Sequence, residues 1–315
     1  MTPLPAVLLE AVTKTYGAGE SAVTALDSVD LAIEPGTVFG LLGANGSGKS
    51  TLVGILSTLT RPTSGHAFVH GLDVATEPTE VRGLIGVTAQ QAALDDRLSG
   101  RENLRMFARL HGLPRPQAAA TADRLLEQYD LTAAADRPVR TYSGGMRRRL
   151  DIIASLIPEP ALLFLDEPTT GLDPHSRNDI WTAVRELADR GTSVFLTTQY
   201  LDEADQLADR VAVLSDVRVI ADDAPDALKA SVGRRLSASL ASAHRSDAAV
   251  RVLRELGVRE PTAIDGTVTG LVDHGDLTLP KVVDLFARDG IDLADVGMHE
   301  PTLDEAYLAL MGARS

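Results

Sequence analysis

The chain has 315 residues, of which 44% are hydrophobic and 23% charged, a composition typical of a globular protein with room for one large domain and a smaller one. It contains no cysteine, which excludes disulfides, thiolate metal sites and thiol catalysis. The formal net charge of -14 argues against a broad basic surface for nucleic acid. No segment approaches about 18 uncharged apolar residues in a row, so the sequence predicts a chain that does not cross a membrane unaided.

The N-terminal segments predict β-strands. Residues 25–33 alternate apolar and polar side chains, as half-buried antiparallel strands do. Residues 7–16 predict a strand that ends at a glycine turn, and residues 38–42 form a continuous apolar run. Further short strands are predicted over 67–69 and 84–87. Together these segments predict an antiparallel β subdomain beside the strand over 38–42.

A glycine-rich segment lies between that apolar strand and an apolar helix, and it reads G-x-x-x-x-G-K-S. Its glycines let backbone N–H groups converge on an anion, while the following helix presents its positive N-terminal end there. Lys49 is expected to reach the β- and γ-phosphates of a nucleotide, and the Ser50 hydroxyl to bind Mg²⁺. The residues predicted to bind the nucleotide are Gly43, Ala44, Asn45, Gly46, Ser47, Gly48, Lys49, Ser50 and Thr51.

The middle of the chain, about 90–157, predicts an inserted helical subdomain. Ser99 and Glu102 have the spacing of a capping box, in which the serine hydroxyl caps a helix and the glutamate three residues later reaches back. Pro114 and Pro116 break that helix, and a second one is predicted to resume over 121–129.

Apolar runs at 161–165, 193–198 and 211–214 predict strands that are buried on both faces of a parallel sheet, with a helix over 176–189 between the first two. Asp166 and Glu167 follow the first run, at the sheet edge where ligands bind in doubly wound folds. Asp166 is expected to hold Mg²⁺, and Glu167 to orient or deprotonate the attacking water. Such a pair is often a solvated turn, but the phosphate loop in the same chain favours the functional interpretation.

A second anion site is predicted where Ser143, Gly144 and Gly145 precede an arginine-rich helix. The arginines themselves, residues 147–149, are interpreted as a solvated helix face. Two phosphate-facing surfaces in one chain suggest that ATP is sandwiched between two copies.

The C-terminal third predicts a small α+β domain after a linker near 221–225. The predicted order, β-α-β-β-α-β, is the ferredoxin-like arrangement. The elements are strand 236–240, helix 247–256, strands 262–264 and 267–272, helix 279–288, strand 293–298 and a final helix over 303–311. The predicted domains are thus 1–220, which binds ATP, and 221–315, an accessory domain.

These motifs resemble the ATP-binding cassette (ABC) family of transporter ATPases over about residues 6–220. The resemblance implies a P-loop NTPase fold, with the Walker A motif at Gly43 to Ser50, the Walker B motif at Leu162 to Asp166 and Glu167 as the catalytic carboxylate. Ser143 to Met146 is similar to the signature Leu-Ser-Gly-Gly-Gln, with Tyr142 and Met146 replacing its outer residues.

Other site residues also follow from the resemblance. It implies that Gln90 is the Q-loop glutamine that senses Mg²⁺ and the membrane partner, that Asp173 belongs to the D-loop and that Tyr16 lies against adenine. Gln199 stands where the family has a histidine that contacts the γ-phosphate. A glutamine amide still donates a hydrogen bond but does not titrate near neutral pH. Hydrolysis is predicted to survive because Glu167 and Mg²⁺ carry the chemistry.

The chain is also similar to the daunorubicin-resistance subfamily of drug exporters, through the runs that begin at Tyr142, Gln199 and Glu300. This similarity implies an ATPase subunit at the cytoplasmic face of the membrane, a homodimer with ATP at its interface and a separate permease for a drug or other hydrophobic compound. A soluble cassette acting on ribosomes or DNA is the alternative, but such proteins usually carry two cassettes, coiled coils or basic surfaces. A generic P-loop kinase is disfavoured because it needs no signature at Ser143.

Overall fold

The computed structural model describes residues 4–88, 94–272 and 277–312, and the chain separates into two compact units, Met1–Asp222 and Asp223–Ser315. The strands of the first unit are β1 Val7–Tyr16, β2 Val23–Ile33, β3 Val38–Leu42, β4 Ser64–Val69, β5 Leu72–Asp73, β6 Ile85–Thr88, β7 Leu162–Asp166, β8 Ser193–Thr198, β9 Arg210–Ser215 and β10 Arg218–Asp223. Its helices are α1 Lys49–Leu56, α2 Pro78–Leu84, α3 Gly100–Leu110, α4 Arg115–Gln128, α5 Gly144–Ser155, α6 Pro174–Asp189 and α7 Leu201–Leu207.

The central sheet has the strand order β10-β9-β3-β8-β7-β6, and the strands from β9 to β6 pair in parallel. The central strands β3, β7 and β8 are mostly apolar and buried because both faces of the sheet are covered there. The rings of Phe39 and Phe164 both pack on Phe195, with centroids 5.4 and 5.5 Å away. Leu42 lies beside Thr198, and Asp166 beside Thr197. The segments that follow β3, β7 and β8 therefore leave the sheet at one edge.

The antiparallel β subdomain that the sequence predicts is present in the order β2-β1-β4-β5. β1 pairs in antiparallel fashion with β2 and β4. Val29, Leu31 and Ile33 are buried while the residues between them are exposed, as the period-two pattern requires.

The helical subdomain consists of α3, α4 and α5. The Ser99 capping box is confirmed, because the Glu102 N–H donates to Ser99 Oγ at 3.2 Å and the Ser99 N–H donates to Glu102 Oε2 at 2.8 Å. α4 begins at Arg115, six residues before the predicted start. Pro116 is tolerated in its first turn because the missing N–H would have no intrahelical partner there.

The second unit contains α8 Pro225–Val232, β11 Arg234–Leu240, α9 Ser246–Glu255, β12 Arg259–Ile264, β13 Thr267–Val272, α10 Leu279–Arg288, β14 Leu293–His299 and α11 Leu303–Gly312. Its sheet has the order β12-β13-β11-β14, and each neighbouring pair is antiparallel. Leu236, Ala238 and Leu240 point from β11 into a core that contains Val252 of α9 and Phe286 of α10.

The linker predicted near 221–225 is wrong. β10 continues through Asp223, and α8 begins at Pro225, so a single residue separates the two elements. The polar run stays in a strand because the Arg210 guanidinium binds the Asp222 carboxylate, with Nε 2.7 Å from Oδ1. α8 then buries Leu228. Over the described ranges, no helix has the length and apolar character needed to cross a membrane.

Candidate nucleotide site

The glycine-rich loop connects β3 to α1 in a conformation that depends on glycine at two positions. Gly48 has φ +113°, and a Cβ there would overlap the carbonyl of Ala25. A Cβ on Gly43 would lie 2.5 Å from Ser47 Oγ and 2.6 Å from the carbonyl of Leu214. The loop is therefore compact, and its backbone is not shielded by side chains at these two positions.

Lys49 is the buried cation of this loop. Its side chain folds back so that Nζ donates to the carbonyl of Gly43 at 2.6 Å and to that of Ala44 at 3.1 Å, and the residue is only 6% exposed. Burial lowers the pKa of the Lys49 ammonium, and the negative charges of Glu167 and Asp166 oppose that shift. Lys49 thus places a partly desolvated positive charge between the loop and the two carboxylates.

Asp166 and Glu167 are fixed by hydrogen bonds to the neighbouring strand β8. The Thr197 hydroxyl donates to Asp166 Oδ1, and the Glu167 N–H donates to the Thr197 carbonyl at 3.0 Å. The Thr170 hydroxyl donates to Glu167 Oε2 at 3.1 Å. Glu167 has φ +44°, a left-handed conformation that costs a non-glycine residue about 1 kcal/mol. The strain is tolerated because these contacts define the turn after β7.

Gln199 follows β8 at the same edge of the sheet, and its side chain is exposed. The turn into α7 is held by the Tyr200 N–H, which donates to Thr198 Oγ1 at 3.0 Å. The Tyr200 ring lies under the Arg177 guanidinium, 5.5 Å from its centroid. The carboxamide of Gln199 can therefore donate a hydrogen bond from a turn whose backbone is restrained.

The Ser143 turn starts α5. Ser143 is the N-cap residue, and its Oγ accepts from the Met146 N–H at 3.2 Å. Ser143 and Gly144 are exposed, whereas Gly145 is buried against α6, where a Cβ would overlap Ser176. Asp173 caps α6 by accepting from the Ser176 N–H at 3.0 Å. The serine-glycine turn and the Asp173 segment therefore pack on each other.

Three further positions named in the sequence analysis are Tyr142, Tyr16 and Gln90. Tyr142 is buried, and its hydroxyl donates to the Ala134 carbonyl at 2.8 Å, so the tyrosine replaces an apolar residue without leaving a buried polar group unpaired. Tyr16 ends β1 with 45% of its surface exposed, and Lys14 Nζ lies 4.8 Å from its ring centroid. Gln90 lies outside the described residues.

The structure also adds residues that sequence reasoning missed. Arg148 was expected on a solvated face, but its side chain is only 12% exposed and it binds backbone carbonyls on both sides of Glu167. Successive helical residues point about 100° apart, so the three arginines do not all share one helix face. Thr197 was another available signal, because it is a polar residue directly after the apolar run Val194 to Leu196 of a buried strand.

Comparison with known proteins identifies this arrangement. A family model described as ABC transporter matches residues 26–170. The daunorubicin resistance ATP-binding protein DrrA2 of Streptomyces coeruleorubidus is 50% identical over 313 residues, which cover 98% of this chain and 96% of the relative. The doxorubicin resistance ATP-binding protein DrrA of Mycobacterium tuberculosis (strain ATCC 25618 / H37Rv) is 43% identical, with 97% and 93% covered.

Solved structures agree with these relatives. The dimeric ATP-binding cassette MJ0796, in a post-hydrolysis state bound to ADP and Pi, matches with a TM-score of 0.63 and 28% identity, over 69% of this chain and 98% of that one. CbiO1 from Clostridium perfringens, part of the ABC transporter complex cbiONQ, matches with a TM-score of 0.66 and 26% identity, over 71% and 90%. The chain thus belongs to the ABC transporter ATP-binding proteins, in the DrrA branch, and is an ABC-type ATPase.

Proposed function

We propose that the chain is the ATP-hydrolysing subunit of an export transporter for a drug or other hydrophobic compound, and that it acts with a separate permease at the cytoplasmic face of the membrane. The observation that carries the nucleotide chemistry is the buried Lys49 ammonium between the glycine-rich loop and the carboxylates of Asp166 and Glu167. The export role is supported by the names of the relatives, which match almost the whole chain.

The residues present fit a magnesium nucleotide. Ser47 Oγ is buried with no hydrogen-bond partner among the residues that the structure describes, so it is available to a ligand. Ser50 and Asp166 supply the hard oxygen ligands that Mg²⁺ prefers, and Gln90 is a further ligand by its resemblance to the Q-loop glutamine. When bound, Mg²⁺ neutralises phosphate charge. The loop residues Gly43 to Thr51 are proposed to hold the phosphates, and Tyr16 the adenine.

Positioning is the main catalytic contribution that these residues can make. Glu167, oriented by Thr170 and by the β8 backbone, is proposed to orient or deprotonate the attacking water. Lys49 stabilises charge on the phosphates, and Gln199 donates an amide hydrogen bond to the γ-phosphate. Lys49 and Glu167 are already held by hydrogen bonds at this sheet edge, so these two groups need little reorganisation during the reaction.

A second copy of the chain is proposed to complete each site. Ser143 and Gly144 are exposed at the start of α5, where the helix N-terminus attracts an anion. They are proposed to contact the γ-phosphate of ATP held by the partner, with Asp173 beside them. The dimeric state of the MJ0796 cassette supports this arrangement.

The permease is proposed to dock on the helical subdomain near Gln90. A groove of about 220 Å³ lies beside β6. Its lining is mainly apolar and includes Phe107 and Val87, which is 41% exposed, but His111, Asp151 and Ser155 also line it. Apolar grooves with few charges are typical of surfaces that receive a partner segment.

The accessory domain over 221–315 is proposed to have the ferredoxin-like fold. Its β-α-β-β-α-β order, its strand order and its wholly antiparallel pairing support this assignment. The separation of the chain at Asp223 supports the proposed domain division.

The test is the Glu167→Gln variant, compared with Glu159→Gln, which changes an exposed glutamate that pairs with Arg124. Glu167→Gln should retain ATP binding, accumulate as a nucleotide-bound dimer on size exclusion, and lose hydrolysis by roughly 100-fold or more. Glu159→Gln should match the wild-type protein. Rapid turnover in Glu167→Gln would contradict the catalytic role, and co-purification with ribosomes instead of a multi-spanning membrane protein would contradict the export role.

A further inference from the structure

Arg148 joins the Ser143 turn to the segment that carries Glu167. It lies in α5, five residues after Ser143, and its guanidinium reaches the turn after β7. Nη2 donates to the carbonyl of Asp166 at 2.8 Å, and Nε donates to the carbonyl of Pro168 at 3.0 Å. One side chain thus binds the carbonyls of the two residues that flank Glu167.

These two bonds determine how the Glu167 backbone is oriented. The Asp166 carbonyl and the Glu167 N–H belong to the same peptide plane, and that N–H donates to Thr197. The peptide plane is therefore held from both sides, by Arg148 and by β8. Because Glu167 adopts a left-handed conformation at φ +44°, it depends on such restraints to keep its carboxylate in place.

The environment of Arg148 shows that this contact is built into the core. Its side chain is 12% exposed, and Nη1 lies 3.1 Å from Oδ2 of Asp151, whose side chain is 9% exposed. Burial lowers the pKa of Arg148, while the charges of Asp151, Asp166 and Glu203 oppose that effect. Only the planar guanidinium can bind two carbonyls and a carboxylate together, because a lysine ammonium lacks this fork.

We propose that Arg148 is a positioning residue that couples the Ser143 turn to Glu167 of the same subunit. This inference rests on the proposed function, in which Ser143 contacts the partner's ATP and Glu167 acts on the subunit's own ATP. From Ser143 to Arg148, α5 rises by only about 7–8 Å along a continuous helix. A shift of α5 when Ser143 contacts nucleotide therefore moves the guanidinium and the two carbonyls that it binds. Binding of nucleotide at one site is thus coupled to the position of Glu167 in the other site.

The experiment compares Arg148→Gln and Arg148→Lys with Arg149→Gln. Arg149 is a matched control, because it is the next residue of α5 and forms a half-buried ion pair with Asp179 at 2.6 Å. We expect both Arg148 variants to lose roughly 10- to 100-fold in kcat, since small displacements of a catalytic group have effects of that size. Fluorescent-ATP affinity and the KM for ATP should stay within about twofold of the wild-type values.

The control separates positioning from stability. Arg149→Gln should lower Tm by an amount similar to Arg148→Gln yet keep kcat within about twofold of wild type. Wild-type kcat in Arg148→Lys, or an equal loss of kcat in Arg149→Gln, would overturn the proposal.

A double-variant cycle tests the coupling itself. If Arg148 transmits the engagement of Ser143, then the kcat of Ser143→Ala combined with Arg148→Gln should be no lower than that of the slower single variant. Multiplicative losses would overturn the coupling while leaving the ATPase assignment intact. Absence of hydrolysis in the wild-type chain would instead overturn the proposed function, and the coupling with it.

Discussion

At the scale of single residues, the site differs from its family pattern at Gln199, which stands where the family has a histidine. The amide can donate a hydrogen bond at every pH, because it has no proton to gain or lose near neutrality. We expect Gln199→Ala to lower kcat roughly 10- to 100-fold through loss of a donor to the γ-phosphate. Gln199→His should restore a donor but add a titration near pH 6.5, about the usual pKa of histidine.

The measurement is kcat against pH for the wild-type chain and both variants. Gln206→Ala, a change on the helix α7 that follows the Gln199 turn, controls for general effects of substitution in this region. Wild-type turnover in Gln199→Ala would contradict the role of the amide. If the wild-type chain bound ATP without hydrolysing it, and Gln199→His restored turnover, the prediction that hydrolysis survives the exchange would be wrong.

Glu203 is a second unusual residue, a carboxyl group with no exposed surface. The Trp181 indole donates to its Oε1 at 3.3 Å, and Oε2 has no hydrogen-bond partner among the described residues. Burial raises the pKa of Glu203, and the nearby charge of Asp202 adds to the shift, while Thr198, Thr169 and Trp181 oppose it.

The raised pKa gives a prediction about stability. In the unfolded chain Glu203 ionises at its ordinary pKa of 4.5, so below that pH it is protonated in both states and has no effect. Above it, the unfolded chain is ionised while burial keeps the folded carboxyl protonated, so folding takes up a proton and stability falls with rising pH until the raised pKa is passed. We therefore expect Glu203→Gln to raise Tm, with a larger gain at about pH 7.5 than at about pH 5.

Thermal unfolding at both pH values measures this difference. Asp202→Asn is the neighbouring control, since its carboxylate is exposed and binds Arg177 on the surface, and it should not raise Tm. A pH-independent gain, or a lower Tm in Glu203→Gln at about pH 7.5, would contradict the prediction.

At the scale of elements, the contact between the N-terminal ends of α5 and α6 predicts a specific clash. A Cβ on Gly145 would lie 2.6 Å from the Cβ of Ser176. We expect Gly145→Ala to destabilise the chain by about 1–3 kcal/mol, as overpacking does, and to reduce ATP-driven dimerisation because it displaces the Ser143 turn. Adding Ser176→Gly removes the obstructing atoms and should recover part of both losses.

Denaturant unfolding and size exclusion with ATP check this expectation. For the unfolding measurement Gly144→Ala is the control, because its nearest neighbour would be a Leu172 methyl at an ordinary 3.4 Å. Equal stability of Gly145→Ala and the wild-type chain would contradict the predicted clash, and so would a double variant no better than Gly145→Ala alone.

The elements also show which parts of the fold could be predicted from local sequence patterns. The buried parallel strands and the Ser99 capping box were predictable, because each has a local signal of period or spacing. β10 and α8 were not, because the polar run at 221–225 resembles a loop until Arg210 pairs with Asp222. The inward course of Arg148 also depends on the path of the turn after β7, which no local pattern encodes. The sheet order, similarly, is decided by crossovers between distant segments.

At the scale of the whole molecule, the hydrophobic cores suggest separate unfolding of the two units. The buried clusters of the first unit end at Leu214, and the cluster of the second begins at Leu236. Because ATP is expected to bind only within the first unit, it should stabilise that unit alone. At a concentration of about 100 times Kd, a ligand adds about 2.7 kcal/mol to the free energy of unfolding of the state that binds it.

We therefore expect calorimetry of Glu167→Gln to show two transitions, of which MgATP raises only one. Lys49→Ala removes the buried cation of the phosphate loop, and in the Glu167→Gln background it should abolish that shift without moving the other transition. Limited proteolysis during the same heating series identifies which unit melts at each step. A single cooperative transition that shifts as a whole with MgATP would show that the second unit unfolds together with the nucleotide-binding unit, because the free energy of binding would then be shared across the chain.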